Sequence, residues 1–442
     1  MIELGEIAVK KALELGADEA EAYLIQGKEF NVTIESNDIK LAKSQTKDGI
    51  GIRVFKNKSL GFASVNVLNE AKVMEAVTNA VRLAQLTPQD KYNQLPMPTP
   101  LTKVEGIYDP EAEKIEMDFA LANATKLLKT VQDYDKRISV DSGVFNTSVY
   151  ETAVVNSKGI KVNEKQSSFS YFIMGMATDK AEVSSFQYEF DATHQVQEVQ
   201  VEKVALEFAK KVINSLGASK WESFKGAVIL DPDVVSELLG VIIYSVNANN
   251  VQKGMSKFAQ RLNQKVAISD LTIEDNGLLK GGNGSSSFDR EGVARKPIKI
   301  IDEGVLSSFL YNSYTANKEN RSSTGHAAGG TRGVPAIGPT NIIVNPGIKT
   351  KNELIKEVKK GILVTRLSCF PNPISGDFSG VVKGGFRIED GMIGKPLIET
   401  MIAGNVFELL NQISGISKEQ KRIFTFILPW FKIEDISITS GK

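Results

Sequence analysis

At 442 residues, with 42% apolar and 24% charged side chains, the chain has the composition of a globular protein and is too long for one simple core. Lys and Arg number 53, as do Asp and Glu, so no global field draws in nucleic acid or an anionic membrane. No apolar run approaches the roughly 18 residues of a membrane span, the first residues lack signal-peptide order, and Cys369, the sole cysteine, excludes an internal disulfide framework, so a cytoplasmic protein is expected.

Apolar spacing predicts a helix over 3–15, stopped by Gly16. A meander follows, in which Phe30, Val32 and Ile34 alternate, then Ile50, Ile52 and Val54, then Leu60 and Phe62. Asn37-Asp38 and Asn57-Lys58 supply its turns, and a helix over 70–86 places Val73, Val77, Val81 and Ala84 on one face. The stretch Leu86–Thr102, with four prolines, reads as an exposed connection. The order then recurs: a helix over 111–132, strands across 138–190 with a turn at Asn156–Gly159, and a helix over 196–216 before Gly217. Residues 1–220 are therefore expected to form an N-terminal domain, and the recurrence suggests two helix–meander units within it, 1–87 and 108–217.

From Phe224 the texture changes. GAVILD is a short buried strand, and Asp231-Pro232 opens a helix with Asp as N-cap and Pro in the first helical position. That helix runs into LLGVIIYSVNANNVQKG (238–254), where Leu238, Leu239, Ile242, Ile243 and Val246 make an apolar face. Tyr244, Ser245, Asn247, Asn249 and Asn250 then crowd its end, and asparagine amides compete for backbone hydrogen bonds. Beyond 256 the chain is Gly- and Ser-rich with short strands, among them a hairpin turning at Asp302–Gly304. The expected fold is α+β with two domains: N-terminal helix–antiparallel meander units and a β-rich C-terminal domain, 221–442.

Several chemistries can be weighed on residue types. Catalytic zinc takes about three protein ligands, and the only histidines, His194 and His326, stand far apart with no cysteine nearby. Asp231 and Asp233 read as helix-start carboxylates, and Asp18, Glu19 and Glu21 as a solvated start to a strand or turn. GGNGSSS (281–287) lacks the Gly-Lys-Ser/Thr ending of a phosphate loop and no apolar helix follows, so a flexible β-loop is expected. Ser322, Ser323 and Thr324 lie close to His326 in sequence, but neighbours seldom reach nucleophile–base geometry. Cys369 reads as a half-buried small apolar residue. Trp221 and Trp430 read as packing residues.

The C-terminal segments, taken together, resemble the TldD/PmbA family, formerly labelled modulators of DNA gyrase. The matching stretches occur in family order: LLGVIIYSVNANNVQKGMSKF, LTIEDNG, FDREGVARKPIKIIDEGVLSSFLYN, STGHA, PTNIIVNPG, SGDFSGVVKGGFRIEDGMIGKPLIETMIAGNVFELL and LPWFKIEDISITSGK. GIGIRVF and VVNSKGIKV extend the resemblance through the N-terminal half. TldD-type members are similar to zinc peptidases with H-E-x-x-x-H on the helix at 238–254. Laid on that motif, this sequence has Tyr244 and Asn249 at the histidine positions and Ser245 at the glutamate position, and no cysteine ligand in Arg422–Leu428.

The resemblance thus implies a PmbA/TldE-type chain without catalytic or metal residues of its own. Zinc would be confined to a TldD-type peptidase subunit that pairs with it, and an extended or unfolded peptide would be the substrate. The pair would act in proteolysis and peptide maturation, with a homodimer forming where the partner is missing. Tyr244, Ser245 and Asn249 would be degenerate metal-site positions, and Asn247, His326, Gly376 and Gly380 would line a peptide groove; the bland alternative is that 244–249 only shape a helix end. Rival readings are an autonomous peptidase with an unrecognised metal site and a binding protein modulating a topoisomerase. Neither nucleic acid nor membrane is expected as a direct partner.

Overall fold

A computed structural model describes residues 1–441. The first helix, α1 (Ile2–Glu14), stops where Gly16 takes φ +89°. The strands β1 (Glu19–Glu35), β2 (Asp38–Thr46), β3 (Gly49–Lys56) and β4 (Ser59–Val65) follow, then α2 (Glu70–Ala84). Ser36, Asn37, Asn57 and Lys58 all have positive φ, the conformation that two-residue hairpin turns require. The first turn therefore sits one residue earlier than Asn37-Asp38, and β1 begins well before Phe30.

The recurrence is also present. A short 3₁₀ turn (Pro110–Lys114) precedes α3 (Met117–Tyr134), and β5 (Ile138–Asn156), β6 (Lys161–Asp179), β7 (Glu182–Val183) and β8 (Gln187–Thr193) lead to α4 (Val201–Asn214). Residues 196–198, expected to be part of that last helix, form a separate 3₁₀ turn. All eight strands belong to one sheet, because β1 pairs along Glu21–Glu35 with Ser142–Asn156 of β5. Two apolar clusters lie on it, one with α1 and α2, the other with α3 and α4.

The second half opens with β9 (Phe224–Leu230), α5 (Pro232–Val246) and α6 (Ala248–Gln252). Next come β10 (Ile273–Asn276), β11 (Pro297–Asp302), β12 (Val305–Leu306), α7 (Ser313–Lys318), β13 (Ala327–Ala328), β14 (Ala336–Ile337) and β15 (Ile342–Val344). The remainder is α8 (Lys351–Lys356), β16 (Lys360–Cys369), β17 (Asp377–Glu389), β18 (Met392–Pro396), β19 (Thr400–Asn405), α9 (Val406–Gln412), β20 (Ile413–Ile423) and β21 (Phe426–Ser440). Strands β9, β16, β17, β19 and β21 pair in that order, and β21 returns to β9, which closes a ring. The apolar face of α5 shares one core with this ring, through Val234, Leu238, Leu239 and Ile242. No helix among the described residues is long and apolar enough to cross a membrane.

The two halves meet closely. Leu86–Thr102 is not a free connection: Leu95 is 2% exposed, its N–H donates to Glu19 Oε2 at 2.7 Å, and Tyr314 Oη donates to Asp90 Oδ2 at 2.7 Å. The β13–β14 hairpin reaches from the second half onto the first sheet at GIGIRVF. A methyl group at Gly51 would lie 2.6 Å from the Thr331 carbonyl oxygen, which explains a glycine in an otherwise apolar strand. Gly51→Val should push the hairpin tip off the sheet and cost about 1–3 kcal/mol, the usual range for overpacking. Urea unfolding together with the rate of tryptic cleavage after Arg332 would measure both effects; unchanged values would refute the contact.

Candidate functional site

Asp231 caps α5 as its sequence predicts, its carboxylate accepting from Asp233 N at 3.1 Å with Pro232 in the first helical position. The helix stops at Asn247, whose backbone is extended (φ −68°, ψ 114°). Asn247 then caps α6: Oδ1 accepts from Asn249 N at 3.0 Å, while Nδ2 donates to Ile337 O at 3.4 Å. Two backbone bonds lock the break, Leu310 N to Val246 O at 2.8 Å and Ala248 N to Leu310 O at 3.0 Å.

Tyr244 and Asn249 are half-buried, and among the described residues neither side chain has a hydrogen-bond partner. Ser245 is fully buried and its hydroxyl is unpaired. A zinc ion does not fit this set: a phenol, an enclosed hydroxyl and a carboxamide offer neither imidazole, thiolate nor carboxylate. Arg422–Leu428 spans the β20–β21 turn, tied down by Arg422 Nη1 donating to Gly281 O (3.0 Å) and Asn283 Nδ2 donating to Phe424 O (3.0 Å). No three His, Cys, Asp or Glu side chains among the described residues are grouped to hold a metal ion.

The other sequence candidates divide. His326 directly precedes Ala327, which pairs with Ile337, so His326 and the Asn247 amide meet the same hairpin from its two strands. His326 is 1% exposed, with Nδ1 2.9 Å from Thr324 Oγ1 and Nε2 3.4 Å from Asp275 Oδ2. That order resembles a hydrolase triad, but Thr324 Oγ1 also accepts from Tyr311 N (2.8 Å) and donates to Tyr311 O (3.1 Å), a structural task in a closed setting. Gly376 and Gly380 lie elsewhere, buried at β17: a methyl group would strike Phe407 at 2.4 Å in the first case and Cys369 at 2.6 Å in the second.

GGNGSSS is a loop with no helix after it, but it is held firmly rather than flexible. Gly281 N donates to Glu105 O, Gly284 N donates to Asn341 Oδ1, and His194 Nε2 lies 3.1 Å from Gly282 O. Cys369 is half-buried, and burial with the nearby Glu237 pushes its thiol up to about 12, so it stays an unreactive thiol. Trp430 donates from Nε1 to Asp231 Oδ2 at 3.1 Å, and Trp221 packs edge-on against Phe224.

What residue-by-residue reading missed is ionic. Glu19 and Glu21 are not solvated; Glu21 is completely buried. Its Oε2 accepts from Arg53 Nη2 at 2.6 Å and its Oε1 from Arg290 Nη1 at 3.0 Å, while Arg53 Nη1 donates to Glu291 Oε1 at 2.8 Å. Burial works against the Arg53 charge, but the two carboxylates outweigh it and hold the guanidinium above its ordinary value. Asp289 Oδ1 accepts from Glu291 N and Val293 N, and Oδ2 from Ala327 N; burial first and Glu291 second push this carboxyl up to about 7. The available signal was an arginine inside the apolar run GIGIRVF and the acid–Arg–acid order of DREG.

A second cluster joins the halves at α5. Lys421 donates to Asp233 Oδ2 (3.0 Å) and Glu189 Oε1 (3.3 Å), and Lys211 reaches Glu189 Oε2 at 2.6 Å. Lys211 also reaches Asp233 Oδ2 at 3.4 Å, so Asp233, expected only as a helix-start carboxylate, is also an inter-domain partner. One turn on, burial and then Asp233 push Glu237 up to about 7.

Two cavities flank the β13–β14 hairpin. The larger, 920 Å³, lies between the β2–β3 turn and Gly330–Gly333; the smaller, 370 Å³, lies between Arg53, the connection at Thr87–Gln94 and Val334-Pro335. Neither is lined by Tyr244, Ser245 or Asn249.

Two outcomes are expected from the ionic clusters. Glu21→Gln deprives both Arg53 and Arg290 of a carboxylate charge and should cost about 3–5 kcal/mol in urea unfolding, against under about 1 kcal/mol if the cluster were solvated. Glu237 and Asp289 hold protons in the folded chain that the unfolded chain releases near pH ~4. Stability should therefore fall as pH rises from ~4 through about 7, and Glu237→Gln should flatten that fall. Melting curves from pH 5 to 8 that coincide for both chains would contradict this.

Three profiles match in succession: PmbA/TldA metallopeptidase domain 1 over residues 20–84, the central domain over 108–216 and the C-terminal domain over 223–440. An uncharacterized protein of Methanocaldococcus jannaschii is 28% identical over 423 residues, 94% of this chain and 96% of that one. A metalloprotease PmbA homolog of Buchnera aphidicola is 27% identical over 428 residues, 94% and 92% of the two chains. The crystal structure of TldE from Thermococcus kodakarensis superposes with a TM-score of 0.91 at 25% identity, covering 99% of this chain and 100% of that one. Matched by all three domain profiles, the chain belongs to the PmbA/TldD metallopeptidase family.

Proposed function

We propose that this chain is the non-catalytic, substrate-guiding subunit of a TldD/TldE-type metalloprotease complex acting in proteolysis and peptide maturation. The observation that carries the reading is the helix end at 244–249. Tyr244 and Asn249 present uncommitted polar groups that can hydrogen-bond a peptide, yet no side chain there suits zinc or general-base activation of a zinc-bound water. The likeness to TldE supports the same assignment. Zinc is assigned to a TldD-type partner and the substrate is an extended or unfolded peptide. Direct contact falls to Tyr244 and Asn249, with Asn247 fixing the break between them; Ser245, His326, Gly376 and Gly380 are buried and act through packing.

The purified chain should carry no stoichiometric transition metal, and elemental analysis finding about one zinc per chain, lost on chelation together with peptidase activity, would overturn the proposal. It should show negligible peptidase activity alone. Mixed with a TldD-type chain from the same source, cleavage should rise with added chain and saturate at a fixed ratio. Ser245→Glu should not create activity, because the ligand positions stay unchanged. Failure of the two chains to co-elute, or no gain in cleavage, would exclude the subunit role.

A further inference from the structure

The 370 Å³ cavity beside Arg53 has no part in the reading above, and its walls are pinned by hydrogen bonds that its lining residues make with one another and with the neighbouring Lys58. Tyr314 Oη donates to Asp90, Lys58 Nζ donates to Asn93 O at 2.9 Å, and Asn312 Nδ2 donates to Pro335 O at 3.2 Å. The first strand unit, the connection and the second half thereby hold a preformed space.

The same bonds decide what that space can take. They commit many of the polar ends of the lining to one another and leave hydrocarbon from Phe55, Leu60, Pro88, Val334 and Pro335 facing an occupant. Arg53 gives two nitrogens to Glu21 and Glu291, so its charge is matched, while its buried Nε meets no acceptor. Asp90 is engaged by Tyr314 and by Tyr92 N. An ion would find no unmatched opposite charge. An uncharged apolar group would leave water on entering.

We infer that this cavity binds an uncharged apolar side chain, as presented by a leucine-like residue of an extended peptide or by a small acylated leucine amide. The inference rests on the peptide-guiding reading only for the source of its ligand. The volume falls within the range of small-ligand pockets and exceeds the needs of one ordered water.

The test uses the full chain and fluorescein-labelled Gly/Ser peptides carrying one Leu, one Asp, or neither. The Leu peptide should bind at least about tenfold tighter than the other two. Val334 is 46% exposed at the rim, so Val334→Asp needs no repacking and should reduce that preference below about twofold, while Val334→Ile keeps it. Pro88→Asp, also exposed, repeats the test should the first variant unfold. Displacement of the Leu peptide by N-acetyl-leucine N-methylamide identifies a small-molecule source; a Leu preference that the amide leaves unmoved identifies a peptide source. Equal binding of all three peptides, or full preference in folded Val334→Asp or Pro88→Asp, overturns the site. Retained stimulation of a TldD-type partner in that case leaves the subunit role standing, and a Leu preference without stimulation removes only the subunit role.

Discussion

Two carboxylates and two guanidinium groups lie together in the buried junction between the sheets, Glu21 and Arg53 from one half and Arg290 and Glu291 from the other. Stranding a single charge there costs several kcal/mol, so the four stay or leave as a set. Because Arg53 takes one carboxylate from each half, moving the halves apart opens a pair in either direction. Glu291 also accepts from Ser313 N, and Asp289 beside it accepts from Ala327 N, so α7 and the β13–β14 hairpin hang from the same lattice. Asn312 and Asn247 then hold the far strand of that hairpin at Pro335 and Ile337. The helix end at 244–249 is thus registered to the N-terminal sheet through an unbroken series of short contacts.

That series gives Asn247 a meaning that its helix propensity alone does not. An asparagine is poor inside a helix, but here one side chain ends α5, starts α6 and occupies a carbonyl on the hairpin's outer edge. Asn312 repeats the arrangement at α7, with Oδ1 accepting from Thr315 N. Side-chain amides therefore occupy the Pro335 and Ile337 carbonyls that a further strand would need, so this edge is closed to strand addition.

Local chemistry was legible from the sequence. Gly16 as a helix stop, the Asn57-Lys58 turn, the Asp231-Pro232 cap and the Asp302–Gly304 hairpin depend on residues within a few positions of one another, and each is found. What was not legible depends on distant partners. Glu21 looks like any strand-start carboxylate until Arg53, 32 positions away, and Arg290, 269 away, are brought against it. Likewise, alternating apolar residues announced β1 only from Phe30, because its first residues face α1 on one side, through Ala20, Ala22 and Leu24, and the ionic junction on the other, through Glu21. The helix end was located by resemblance and by its asparagines. That Ser245 is sealed while Tyr244 and Asn249 are uncommitted follows from packing that no spacing reveals.

The ring of β9, β16, β17, β19 and β21 carries a kinetic consequence. Its closure joins Leu230 to Phe431, contacts separated by about 200 positions, and such pairings form late because loop closure must precede any reward. On the ribosome, β9 and the apolar α5 emerge long before β21 is made, which at typical rates is an interval of roughly 10–40 s. Through that interval Val234, Leu238 and Ile242 have no complete core to enter. The nascent chain is therefore most exposed to aggregation and to chaperone capture after residue 246, and the N-terminal sheet, already complete, offers the ionic junction as the first surface on which the second half can organise.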